Sequence, residues 1–506
     1  MTHRWCSRAA ATVVLATVAF CWAGCRPGKV EAAGLTPEVA AKLAGKHWYR
    51  VSVMGQPSGW AFFDTWSRKG DDGKLELVSR QRMFFNLTLN GMKLTASQEM
   101  TVETDNLLRP VRITVVADEL GRAKNVKAEV QGDKLHVEVE GGGRTFTKDL
   151  DLPEDWGSDL QLARDAAMGK LKPGRELTAS IFDPELAAFD RHHLKVVGWT
   201  DVEVAGETRH LLQVDDKTER LKLSITTYLD EQGVVWLQKV PGILNMTMEK
   251  VPEEEAKKVG SPLSLTNKVE IDKPLGDPRV LKLVVLKAQF TQAPDTQPVP
   301  TTARQKVEKL APDSYKITLR ANPKPTKIAA YPLEVPEELA PLTKATSIAQ
   351  ADDPQIKAKA KEIVAGSKDC WEAAQAIVKW VYENVQKVAS EPKPVTGAEV
   401  FQSMRGDCSE HAVLAGTLAR AAGLPSKMCV GLGCTGQAFY YHAWVKIWVG
   451  EWVEMDPTWG EPLVDASHLE LGEGALDEVS LARMSLATAR IIGQVSFDVL
   501  KVERSE

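Results

Sequence analysis

Between Leu75 and Leu89 the odd positions Leu75, Leu77, Met83, Phe85, Leu87 and Leu89 are apolar, while Glu76, Arg80, Arg82 and Asn86 stand at even ones. A period of two places one side-chain set on a buried face and the other in water, so it predicts half-buried β-strands. The same alternation returns at Leu135, Val137 and Val139, and again at Leu221, Leu223 and Ile225. Asp72-Gly73, Asn90-Gly91 and Gly141 to Gly143 supply turn chemistry between such runs. A helix is expected near Leu160 to Lys170. These signals predict an antiparallel β-rich accessory domain over residues 45–270. Prolines at Asp272–Pro278 and in QAPDTQPVPTTA mark extended linkers, and residues 279–322 read as a small β unit.

The pattern changes downstream. Ile377, Val378, Val381 and Val385 recur at helical spacing. After Cys408 an Ala/Leu-rich run ends at Gly423, Leu424 and Pro425, a helix stop, which puts Cys408 in the first turn of that helix. Two strand-like segments follow, YYHAWVKIW and EWVEMDPTW, and they predict a hairpin turning near Gly450. A two-residue loop would pair position 442 with 459 and turn Asp456 away from His442. A three-residue loop over 449–451 pairs 442 with 458 and leaves Asp456 diagonal to His442 on one face. Ala443, Val445, Ile447, Val453 and Met455 then share the opposite face.

That layout has a chemical meaning. The first turn of a helix offers unpaired N–H groups and the positive end of its dipole, which favour a thiolate at Cys408. His442 is the candidate base and Asp456 the group that fixes its tautomer. Asp407 and Glu410 complement the helix dipole, and His411, one turn beyond Cys408, is a rival base. The Cys408 N–H is one candidate oxyanion donor. The second stays open between an indole N–H and the side chain of Gln402. Trp444, Trp448, Trp452 and Trp459 are candidate walls of a substrate groove, with core packing as the plainer reading. Asp465 and His468 border the cleft or serve a loop.

AEVFQSMRGDCSEHAVLAGTLARAAGLPSKMCVGL and FYYHAWVKIWVGEWVEMDPTWGEPLVDASHLEL, spanning about Ala398 to Leu471, resemble the bacterial branch of the transglutaminase-like superfamily. The resemblance implies an α+β, papain-like core in which a Cys helix lies on an antiparallel sheet, here within a catalytic domain at 335–506. It assigns nucleophile, base and carboxylate to Cys408, His442 and Asp456. Lys446 departs from it, because an acidic residue commonly follows the His-x-Trp step.

At 506 residues the chain is too long for one core, and 43% hydrophobic with 26% charged residues is a globular balance. A net charge of −5, with no basic tract or zinc spacing, excludes a nucleic-acid partner. No cofactor or metal is expected. Arg4 and Arg8 followed by AAATVVLATVAFCWAG read as a secretory signal over residues 1–25. Its end has two readings, lipidation at Cys25 or ordinary cleavage after Ala32. Either places the protein in the cell envelope, periplasmic or held to the membrane by an N-terminal lipid anchor. Cys429 and Cys434 are expected to be reduced and partly buried. The sequence thus predicts a cysteine acyltransferase or hydrolase acting on a peptide or protein substrate. The alternative is a non-catalytic module that holds a partner protein or wall peptide in the same cleft.

Overall fold

The computed structural model describes residues 34–505 apart from 90–91, 120–122, 142–143, 261, 267, 295 and 389–395. Cys25 and the signal segment lie outside the described residues, as does the turn at Asn90-Gly91. The chain divides into two compact units that part between Ser264 and Leu265.

The first unit is built on one antiparallel sheet. From Arg144–Asp151 the strands run back in sequence order to Gly45–Val53, which pairs with Met246–Lys250. From there the order descends again to Glu176–Asp183. Leu75–Leu89 forms a single strand, with Met83, Phe85 and Leu87 buried and Arg82 exposed, as the alternation requires. The expected helix is Asp159–Ala167. Its Leu160 and Ala163 pack with Leu77, Leu108 and Val39, closing one part of the sheet's apolar face.

In the second unit the helix Cys408–Ala421 lies on a sheet whose main strands are Phe439–Trp448, Ser426–Cys434 and His468–Gly474. Trp452–Met455 and Lys268–Val269 also pair with the Phe439–Trp448 strand. Leu414, Ala415 and Leu418 of the helix share a buried cluster with Val445, Ile447, Val453 and Met455, the apolar face read from the alternation. The helix ends where Gly423 adopts φ +82°, letting the Leu424 N–H turn back to the Ala419 carbonyl. Helices Pro354–Ile363, Cys370–Asn384 and Gly397–Ser403 surround it.

Residues 279–322 do form strands, Leu281–Phe290, Gln305–Ala311 and Ser314–Arg320, but they do not finish a sheet alone. The fourth strand is Val495–Arg504, which pairs along the whole of Leu281–Phe290. Leu281–Phe290 is apolar on both faces and needs a hydrogen-bonded neighbour at each edge. Among the described residues no helix is long and apolar enough to cross a membrane.

Candidate active site

Cys408 is the first residue of its helix. Asp407 caps it: the Ser409 N–H donates to Asp407 Oδ1 at 2.9 Å, and Glu410 Oε2 accepts from the Asp407 N–H at 2.7 Å. The two acids first read as dipole complements are therefore a reciprocal capping box, which fixes the angle at which the chain enters the helix. Cys408 is buried and packs in one cluster with Ala412, Val413, Met428 and Ala443, the last being the neighbour of His442. Cys370, Cys429 and Cys434 are free thiols.

The hairpin has the three-residue loop. Trp448 pairs with Trp452 and Val445 with Met455, the register that sets Asp456 diagonal to His442. His442 Nε2 lies 2.7 Å from Asp456 Oδ2. The other carboxylate oxygen accepts the Thr458 and Trp459 N–H groups at 2.7 and 3.2 Å. Burial pushes the Asp456 carboxyl up, but the charges and hydrogen bonds of His442 and His468 outweigh it, and the group is held far below the usual carboxylate range. Since a carboxylate only accepts, His442 must donate from Nε2. That leaves Nδ1 as the free lone pair, the tautomer a thiol base needs.

Short-range features shape this corner. Asp456 and Glu461 exchange backbone hydrogen bonds of 2.8 and 2.9 Å, closing the loop between them and laying Trp459 flat on His442. Gly433 makes room for both rings, because a Cβ there would stand 2.6 Å from Trp459 Cη2 and 3.1 Å from His442 Cδ2. Gly431 does the same for Trp444. Neither glycine was singled out for this role from the sequence; the local signal was Gly-Leu-Gly inside a strand, which often marks a close approach.

The tryptophans divide. Trp444 is fully buried and its indole N–H donates to Glu454 Oε2 at 3.0 Å, so it offers no wall to a substrate and is core packing. Strand alternation gives the face of a side chain but not its depth, which is why the groove reading included it. Trp448 and Trp452 meet edge to face at the hairpin's end, and Trp459 remains partly accessible beside His442. Gln402 is exposed on Gly397–Ser403. His411 is fully buried and donates from Nδ1 to the Asp407 carbonyl at 2.6 Å, while burial lowers its affinity for a proton. No carboxylate orients it through a hydrogen bond among the described residues.

Behind His442, on the same face of its strand, sits a buried charge network that was not foreseen. Lys446 pairs directly across the hairpin with Glu454 and donates to Glu470 Oε2 at 2.9 Å and to Glu473. Arg304, from the small β unit, is buried against Glu454, and Gln305 bonds both backbone groups of Glu470 at 2.9 Å. Burial raises the Glu454 carboxyl, yet Arg304, Lys446 and Trp444 bring it down to about 2. The opposite balance holds Lys446 well above its ordinary value. The departure at Lys446 thus has a physical partner set, three carboxylates supplied by two strands. The hairpin register already places 446 opposite 454, the signal that could have revealed it.

Three groups of side chains bring possible metal ligands within 4.8 Å of one another: His442, Asp456 and His468; Glu461, Asp465 and His468; Cys429, Glu470 and Glu473. The first is held together by its own hydrogen bonds, and the third is already neutralised by Lys446. Burial pushes the Cys429 thiol well up, and that of Cys434 to about 12, so both are inert and more deeply buried than expected.

Residues 357–457 match the family model described as the transglutaminase-like superfamily, and this part of the chain is a transglutaminase-like domain. No curated protein matches the sequence. Solved structures that resemble parts of the chain include the following three. A proposed cysteine protease from Cytophaga hutchinsonii is 13% identical with a TM-score of 0.30, over 45% of this chain and 90% of that one. The periplasmic domain of TgpA from Pseudomonas aeruginosa is 14% identical with a TM-score of 0.26, over 38% and 87%. A β-barrel-like protein from Brucella abortus is 12% identical with a TM-score of 0.31, over 41% and 94%.

Proposed function

We propose that the transglutaminase-like domain is a cysteine acyl-transfer site. The Cys408 sulfur attacks the carbonyl carbon of a peptide or glutamine-like amide. His442 takes the thiol proton and returns it to the departing amine, while Asp456 holds the imidazole in the required tautomer. The thioester so formed is then resolved by water, a peptidase-like outcome, or by a second amine. The Cys408 N–H at the helix start is one oxyanion donor, worth roughly 2.7–4 kcal/mol where such donors have been removed, and Gln402 is the candidate for the second. Trp459, Trp448 and Trp452 are the candidate substrate contacts. The setting is the cell envelope, after export and with or without lipid at Cys25.

The observation that carries this reading is the 2.7 Å contact between His442 Nε2 and Asp456 Oδ2, made in the only tautomer that leaves Nδ1 for a thiol. The attacking group is the Cys408 thiol, and the test begins with that thiol reduced. Reduced full-length protein is exposed to a peptide-based thiol-directed probe across pH 5–9. Labelling of wild type at neutral pH, absent in Cys408→Ala and weakened in His442→Ala, supports the enzyme. No labelling of the reduced protein, or labelling that His442→Ala leaves unchanged, overturns it in favour of a non-catalytic binding module.

A further inference from the structure

Asp456 is contacted by two imidazoles, and only one of them has a place in the reaction described above. His468 Nε2 lies 3.2 Å from the same Oδ2 that accepts from His442. His468 opens the strand His468–Gly474, pairs with Gly433, and is completely buried. Trp444 and Trp459 meet its ring edge-on at 5.2 and 5.0 Å, and the His442 ring lies 5.7 Å away. The Arg304 guanidinium reaches its carbonyl at 3.4 Å.

We infer that His468 is a positioning residue of the acyl-transfer site, an imidazolium that fixes the Asp456 carboxylate and tempers its hold on His442. The inference rests on the function proposed above. Its geometric basis is that both ring nitrogens face carboxylates. Nε2 faces Asp456, and Nδ1 stands 3.4 Å from Asp465 Oδ1, an ion-pair distance without hydrogen-bond geometry. A neutral imidazole has one donor and would turn its lone pair towards one of these oxygens; only the doubly protonated ring suits both. Asp465 Oδ2 is buried nearby without a partner among the described residues, which adds negative potential on that side. Burial disfavours the cation, but the contacts with the Asp456 and Asp465 carboxylates raise its pKa to about 10. The same crowding of acids, with burial, raises Glu461 to about 8.

The consequence is electrostatic. A lone Asp456 carboxylate would hold the proton on His442 strongly and weaken it as a proton donor to the leaving amine. Sharing that carboxylate with a fixed cation reduces the pull without moving the oxygen. Neutralising His468 should therefore raise the pH at which His442 gives up its proton, whereas a purely structural histidine would alter stability alone.

Two measurements test this. In wild-type protein, ¹⁵N NMR of the histidine rings should find both His468 nitrogens protonated from pH 5 to 9. A neutral His468 at pH 7 overturns the inference whatever the protein's activity, which separates its failure from failure of the proposed function. In His468→Gln, which keeps a donor but no charge, the basic limb of the pH profile for Cys408 labelling should move up by about one unit, with kcat falling more than KM changes. An unshifted limb in a folded His468→Gln protein also overturns it.

Discussion

Trp459 lies flat against His442, with ring centroids 4.3 Å apart and planes within 15°. The indole forms one wall for the imidazole and limits its rotation, while the Trp459 N–H also binds Asp456. Replacing the side chain keeps that backbone bond but frees the ring. Trp459→Leu should retain a cooperative thermal transition and lose on the order of 10- to 100-fold in kcat/KM, because small misplacements of a reacting group are costly. Rates of probe labelling beside a thermal melt check this.

Asp456→Asn addresses the tautomer. The amide can retain the Thr458 and Trp459 contacts, yet it can donate to His442 and invert the ring's proton placement. By analogy with the same exchange in a serine triad, turnover should fall roughly 10⁴-fold with the fold intact. A loss below tenfold would argue against His442 as the base.

Gly433→Ala is a steric test from the neighbouring strand. The added methyl meets Trp459 and His442, so the expected outcome is about 1–3 kcal/mol of lost stability from overpacking together with displacement of these two rings. Urea denaturation gives the first, and the near-ultraviolet circular dichroism of the tryptophans reports the second.

The Arg304–Glu454 pair predicts an acid response. Glu454 is held at about 2 in the folded chain, below its unfolded value, so the folded state binds fewer protons. Its contribution is complete above the unfolded pKa and is lost as pH falls from about 4.5 towards 2, on the order of 3 kcal/mol. Replacing both residues by apolar ones (Arg304→Met with Glu454→Leu) should flatten that part of the stability curve at a cost of about 1–3 kcal/mol at pH 7, because the buried Trp444 N–H loses its acceptor. Glu454→Gln alone should destabilise at pH 7 by roughly 3–5 kcal/mol, since Arg304 is then left unpaired. Chemical denaturation at pH 7, 4.5 and 3 distinguishes the two.

Much of the geometry of this site is legible in the sequence. The helix start at Cys408 follows from Gly406 and Asp407 before an Ala/Leu run. The His442–Asp456 diagonal follows from counting across Gly450, because strand parity and loop length determine face and register together. Depth was not legible: Trp444 and Trp448 share a face, yet one is sealed under Arg304 and Glu454 and the other lies near the hairpin's end. Partners remote in sequence were hidden as well. Nothing near Arg304 announces Glu454, and nothing at 279–322 announces a strand at Val495–Arg504. His468 was visible as a residue beside Asp465, but its hold on Asp456 depends on which strand lies next to Ser426–Cys434.

The pairing of Leu281–Phe290 with Val495–Arg504 imposes an order on synthesis. At ribosomal speeds of roughly 5–20 residues per second, the about 175 residues separating Arg320 from Val495 take on the order of 10–35 s to appear. For that interval an apolar strand waits with a bare edge, and the Arg304 and Gln305 side chains that anchor the back of the sheet carrying His442 have no finished support. A nascent chain of this kind gains from being kept apart from its neighbours until its last strand arrives.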